Sequence, residues 1–196
     1  MPSLLANIRH ESLSTRSRYD PNLMYTLITA EQIALRIKEL GATISETYQG
    51  RPLTVVGVLS GSVIFVADLM RSIGIPHRLG FVTASSYRGA TTTGGEVTVG
   101  TGLLPDITNR DVLLVDDIFD TGRTISRLLK ELDHARPASL RTAVLLWKDG
   151  CSQVDLVPDY HGFCIPNQFV VGYGLDYDDD YRHLPMIGVL EPQDLK

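Results

Sequence analysis

Apolar residues along the chain fall into two patterns, short unbroken runs and helical stripes, and the two alternate. Ile33, Ile37, Leu40 and Ile44 recur on one helical face, after Thr29 and Gln32 at capping-box spacing. A helix therefore starts at Thr29 and ends at Gly50 and Pro52. Residues 54–59 (Thr-Val-Val-Gly-Val-Leu) form a continuous apolar run of strand length, the pattern of a parallel strand covered on both faces. Ser60, Gly61 and Ser62 turn the chain into a second helix, with Ile64, Phe65, Leu69 and Ile73 apolar and Ser62 as its cap. Further strands are predicted at 79–82, 112–115, 142–147 and 169–173, and a third helix from Thr124 to His134, ended by Pro137. This alternation predicts an α/β fold, a mostly parallel central sheet flanked by helices, with its site at the carboxyl ends of the strands.

Two segments break the pattern. Residues 1–25 have no sustained period and read as an N-terminal arm to a single domain over 26–196. Residues 85–102 are rich in Ser, Thr and Gly and poor in core residues, which marks a functional loop or a flexible hairpin.

Composition narrows the class. A chain of 196 residues with 43% hydrophobic and 21% charged residues buries a real core. Eighteen Lys and Arg against 23 Asp and Glu give a net charge of −5, which argues against binding nucleic acid by general positive charge. No apolar run reaches the ~20 residues of a membrane helix. The first twenty residues carry Arg9, His10, Glu11, Arg16, Arg18 and Asp20 and hold no signal-peptide core. Cys151 and Cys164 read as free thiols of a cytoplasmic protein. The five histidines, His10, His77, His134, His161 and His183, lack metal-ligand spacing, and no G-x-G-x-x-G follows a strand.

The chemistry concentrates after the 112–115 run. Asp116 and Asp117 cannot both enter an apolar core, so they must meet solvent, a cation or hydroxyl groups. Thr121, Gly122, Arg123 and Thr124 then meet a helix N-terminus, where successive amides and the positive helix end suit a phosphate monoester. Carboxylates for a polyol beside amides for a phosphate fit a phosphorylated sugar.

The run V-L-L-V-D-D-I-F-D-T-G-R-T at 112–124 resembles the phosphoribosyl-pyrophosphate (PRPP) motif of the type I phosphoribosyltransferases. Its D-T-G ending resembles the purine branch of that family. V-G-V-L-S-G-S at 56–62 resembles the first pyrophosphate loop, Ser86-Tyr87 the opening of a mobile lid, and Lys148 the lysine that faces a purine 6-oxo group. F-V-V-G-Y-G-L-D-Y at 169–177 and Y-R-H-L-P at 181–185 resemble the purine- and metal-binding end.

The resemblance implies a type I phosphoribosyltransferase fold with a small hood at about 160–196 and a lid at about 85–102. It implies transfer of the phosphoribosyl group from PRPP to a 6-oxopurine, hypoxanthine or guanine, giving IMP or GMP and pyrophosphate, with Mg2+ as cofactor. Asp120 becomes the catalytic carboxylate near purine N7. PRPP falls to Asp116, Asp117, Thr121, Gly122, Arg123, Thr124, Ser60, Gly61, Arg182, Ser86 and Tyr87. The purine falls to Lys148, Phe169, Val170 and Asp176, and magnesium to Asp116, Asp117 and Asp176. Ser60 departs from the family's usual Lys and removes a cation, and the peptide entering this position is often cis in the family. The family also implies a homodimer or homotetramer, with no membrane or nucleic-acid partner. A PRPP- or nucleotide-sensing regulator on the same fold is the alternative, against which Asp120, Lys148 and the acidic charge count.

Overall fold

The computed structural model describes residues 24–86 and 97–190. Its twelve described elements are β1 (Met24–Ile28), α1 (Ala30–Thr47), β2 (Leu53–Leu59), α2 (Val63–Ser72), β3 (Arg78–Ser86), β4 (Val97–Leu103), β5 (Asp111–Phe119), α3 (Arg123–Asp133), β6 (Ser139–Lys148), β7 (Tyr160–Ile165), β8 (Val170–Val171) and β9 (Ile187–Leu190). Six strands form the main sheet in the order β4-β3-β2-β5-β6-β7. All neighbours are parallel except the β3–β4 pair. A second sheet, β1-β9-β8, is antiparallel.

Alternation along the central strands feeds two apolar layers. Val55, Leu113, Val115 and Leu145 pack with Ile33 and Ile37 of α1 and Phe65 and Leu69 of α2. Val56, Val58, Leu114 and Val144 point the other way, onto Ile125, Leu128 and Leu132 of α3. Each such side chain contributes roughly 1.5–3 kcal/mol by leaving water. The amino ends of the strands are tied by polar bonds. Arg51 and Ser139 both donate to the buried carboxylate of Asp111, and Arg110 donates to Thr54 Oγ1 and Leu53 O at 2.7 Å each. With that edge held, the carboxyl ends of β2, β5 and β6 stand in fixed register at the opposite edge.

The helix at Thr29 has its capping box: Gln32 N donates to Thr29 Oγ1 and Thr29 N to Gln32 Oε1. Several boundaries differ from those expected. Ser62 is not a side-chain cap; its backbone is already helical and its hydroxyl turns back to donate to Val58 O. β5 does not stop at Val115 but runs through both aspartates to Phe119, because β6 pairs with it to that point. The strand expected at 169–173 shrinks to Val170 and Val171, since Gly172 takes φ 94° and reverses the chain. Met24 and Tyr25, placed in the arm by their lack of period, open β1 and pair with Leu190 and Val189. β7, within the range expected for the hood, is an edge strand of the main sheet. Both flanks of the Ser/Thr/Gly-rich segment that lie within the described residues are strands: Ser86 pairs with Val97, and Thr83 with Gly100. Among the described residues no helix is long and apolar enough to cross a membrane.

Candidate active site

A cavity of about 310 Å³ opens at the carboxyl ends of β2 and β5. Its wall is built from Ser60 and Gly61 after β2, Asp116 to Asp120 of β5 and the turn that follows, Thr121, Gly122 and Thr124 at the start of α3, and Asp176 and Arg182 beyond β8. Three stretches of chain, 60–61, 116–124 and 176–182, thus meet at one place, where the parallel neighbours β2 and β5 both end.

The turn into α3 is built for an anion. Gly122, at the N-cap, takes φ 76°, a conformation that favours glycine, and no side chain caps the helix. The first-turn amides therefore face the cavity without an internal acceptor. A Cβ at Gly122 would lie 2.6 Å from Phe119 and Val154 side-chain atoms, so glycine also lets the turn pack closely.

Asp116 is buried and Asp117 is half-buried beside it. Burial, with the neighbouring negative charge second, pushes the Asp116 carboxyl well above the ordinary carboxylate range. Burial raises Asp117 as well. Asp117 N donates to Asp116 Oδ1 at 3.0 Å. On the other side, the Leu59–Ser60 peptide is cis, as it often is in the family the sequence resembles. Gly61 lies so close to Asp117 that a Cβ there would stand 1.9 Å from Oδ2.

Next to this acidic pair stands an ion pair. Lys148, buried at the end of β6, places Nζ 3.0 Å from Asp120 Oδ2. Arg182 reaches in from the far side, with Nη2 2.8 Å from Asp176 Oδ1 and Nη1 donating to Gly174 O at 2.8 Å. Four carboxylates and one guanidinium line the cavity. Among the described residues no three acidic, His or Cys side chains cluster as a ready-made metal site.

The sequence-derived residues divide accordingly. Asp116, Asp117, Asp120, Thr121, Gly122, Thr124, Ser60, Gly61, Asp176 and Arg182 all line the cavity. Lys148 is joined to it through Asp120. Phe169 and Val170 do not line it: Val170 is buried in β8, while Phe169 is 40% exposed and meets Tyr177 edge-on at 5.5 Å between ring centres. Arg123 sits at the first turn of α3 with its side chain in solvent, outside the cavity wall. Ser86 ends β3, and Tyr87 lies outside the described residues. Ala84 and Ile118 also line the cavity, but small and apolar residues inside strand patterns carry no signal beyond core.

Similarity to known proteins bears on this geometry. Residues 25–178 match the phosphoribosyl transferase domain family. The chain is 43% identical over 174 residues to the hypoxanthine-guanine phosphoribosyltransferase of Lactococcus lactis, covering 89% of this chain and 94% of that protein. It is 45% identical over 181 residues to the enzyme of the same name from Mycobacterium avium, covering 89% of each. The crystal structure of a hypoxanthine phosphoribosyltransferase from Staphylococcus aureus superposes with a TM-score of 0.84 at 41% identity, over 89% of this chain and 96% of that one. A Trypanosoma cruzi hypoxanthine phosphoribosyltransferase variant, solved as a ternary substrates complex, gives 0.81 at 41% identity, over 87% and 97%. The chain belongs to the phosphoribosyltransferase family, and within it to the hypoxanthine-guanine phosphoribosyltransferases.

Proposed function

We propose that this chain salvages purines in the cytoplasm, transferring the 5-phosphoribosyl group of PRPP to N9 of hypoxanthine or guanine and releasing pyrophosphate. The observation that carries this reading is the convergence of an uncapped helix N-terminus, a buried acidic pair and a carboxylate–lysine pair on one cavity. The 5′-phosphate takes the amides of Thr121 to Thr124. The sugar hydroxyls lie on Asp116 and Asp117. Pyrophosphate leaves toward Ser60, Gly61 and Arg182, taking the electron pair of the C1–oxygen bond, while the N9 lone pair closes the new C1–N9 bond. The N7 proton passes to Asp120. Lys148 donates to the 6-oxo oxygen, where negative charge grows as the ring loses its proton. Phe169, exposed and braced by Tyr177, offers a stacking face, and the main chain at Val170 and Asp176 reads the rest of the ring.

The cavity fits magnesium. Four carboxylates against one guanidinium cannot receive a polyphosphate without added positive charge, and burial disfavours the charged forms of Asp116 and Asp117, which a bound cation would favour. Asp116 and Asp117 would hold one ion and Asp176 a second, each completed by substrate oxygens, as magnesium prefers few protein ligands. Magnesium bound there supplies charge neutralisation to the leaving pyrophosphate. A homodimer or homotetramer, which the family resemblance implies, is the proposed working form, to be measured by light scattering.

The test is to mix the protein with PRPP and hypoxanthine, with magnesium and with chelator in excess. IMP and pyrophosphate form in equal amounts only with magnesium. Equal turnover in chelator removes the metal assignment, and no turnover in either removes the reaction.

A further inference from the structure

Outside the cavity wall, a part-buried side-chain bond joins α2 to the hood loop, residues 172–184. Tyr173 is buried, takes φ 50°, and donates its hydroxyl to Asp68 Oδ2. The other oxygen of Asp68 accepts from Arg71 one turn along α2, so the carboxylate is held on both sides. Burial and the bonded carboxylate raise the Tyr173 phenol, which stays a donor.

Tyr173 is held through its backbone as well. Its N–H donates to Leu184 O at 2.8 Å, and the next residue, Gly174, donates to Arg182 O at 3.0 Å. Gly174 has φ 103°, and a Cβ there would stand 2.1 Å from Gly61 O. The loop bearing Asp176 and Arg182 therefore rests directly on the loop that ends β2. Gly61 in turn abuts Asp117. A chain of contacts runs from Asp68 through Tyr173 and Gly174 to Gly61 and Asp117, with Arg182 Nη1 on Gly174 O and Arg182 Nη2 on Asp176.

We propose that Tyr173 and Asp68 are positioning residues whose hydrogen bond seats the hood loop on Gly61 and so sets the spacing between the Asp176–Arg182 arm and the Asp116–Asp117 pair. This rests on the proposed function only in that the spacing is the one magnesium pyrophosphate needs. Neither residue lines the cavity. Tyr173 meets Asp68 rather than the cavity wall, and Asp68 sits on the helix that follows the pyrophosphate loop.

The test uses the full chain and Tyr173→Phe, Asp68→Ala and Asp68→Asn variants. Two quantities are measured: amide exchange over residues 172–184 in the metal-free protein, and the affinity for magnesium pyrophosphate by calorimetry. Neither depends on turnover, so an inactive wild-type protein would count against the proposed reaction and leave this result readable. Tyr173→Phe and Asp68→Ala are expected to speed exchange and to weaken pyrophosphate binding about tenfold, the worth of one hydrogen bond to a charged group. Asp68→Asn keeps an acceptor for the phenol and restores most of both. The affinity for ribose 5-phosphate, which on the proposed assignments meets the Thr121–Thr124 amides and the Asp116–Asp117 pair but not the hood loop, moves far less. Unchanged pyrophosphate affinity, or an equal fall for ribose 5-phosphate, overturns the proposal, whether or not exchange rises.

Discussion

Lys148 Nζ lies 3.0 Å from Asp120 Oδ2, and the pair exists because β5 and β6 run parallel with Phe119 opposite Trp147. Each residue sits one step beyond that register pair. The partners differ in exposure: the lysine side chain is 10% exposed and the aspartate 46%. A buried ammonium thus braces a carboxylate that remains open to a ligand. This is the arrangement expected where one group accepts a proton and its neighbour stabilises the oxygen that gains charge.

Asp120→Asn keeps the shape of the side chain and removes its capacity to take a proton. Turnover should fall by about 10²–10⁴-fold, the usual worth of a positioned acid or base. PRPP affinity by calorimetry should be unchanged, because the phosphate amides of α3 and the Asp116–Asp117 pair are untouched. Equal loss in both would make Asp120 a binding residue.

Gly61→Ala introduces a Cβ 1.9 Å from Asp117 Oδ2. The backbone at Gly61 is not in the left-handed region, so the methyl group itself is allowed and the carboxylate must yield. The chain should fold with a loss of roughly 1–3 kcal/mol, typical of overpacking. Magnesium-dependent PRPP binding should fall sharply. Wild-type PRPP affinity in this variant would mean that Asp117 is not a ligand of the sugar or its metal.

Asp116→Asn removes one of two carboxylates forced together in a buried place. The amide carries no charge to desolvate and does not repel Asp117. The metal-free variant should melt higher than the wild type at neutral pH while binding magnesium and PRPP more weakly. That pairing of gain and loss is the mark of a site held under electrostatic stress for function. A lower melting temperature without ligand contradicts it.

His161, on β7, is half-buried with its ring edge-on to Trp147 at 5.1 Å. Burial, with the nearby Arg36 charge second, lowers it from the ordinary value of 6.5. The unfolded chain therefore takes up its proton first as pH falls below about 6.5, and the native state is penalised until His161 itself protonates. Stability should decline from pH 7 to pH 5, and His161→Gln should flatten that decline. An unchanged slope in urea melts across this range would exclude His161 as its source.

Legibility in the sequence followed the range of the interactions. The runs at 54–59 and 112–115 announced β2 and β5 because strands covered on both faces need little beyond continuous apolar residues. The cradle at 120–124 was readable because strand, turn and helix are consecutive. β1 and β9 were not, since Met24 finds its partner at Leu190 and neither segment shows a period of its own. Two aspartates look like a strand terminus, so local pattern alone ends β5 too early. Only the neighbouring β6 carries the pairing past them to Phe119. The Asp120–Lys148 bond could be named in parts by resemblance, but its closeness depends on a register no local pattern states. The Asp68–Tyr173 bond left no trace in the sequence at all, joining an ordinary helical aspartate to a tyrosine 105 residues away.

The most direct measurement is kcat/KM for hypoxanthine and for adenine at saturating magnesium and PRPP, in the wild type and in Lys148→Ala. The wild type should form IMP readily and leave adenine essentially unused, because the Lys148 ammonium donates to a 6-oxo oxygen and finds only donors on a 6-amino group. Lys148→Ala should lose about 10²–10³-fold on hypoxanthine, the usual cost of one donor to a developing oxyanion, with PRPP affinity retained. Adenine used as well as hypoxanthine by the wild type, or no nucleotide from either base, would contradict the assignment of this cavity to 6-oxopurine phosphoribosyl transfer.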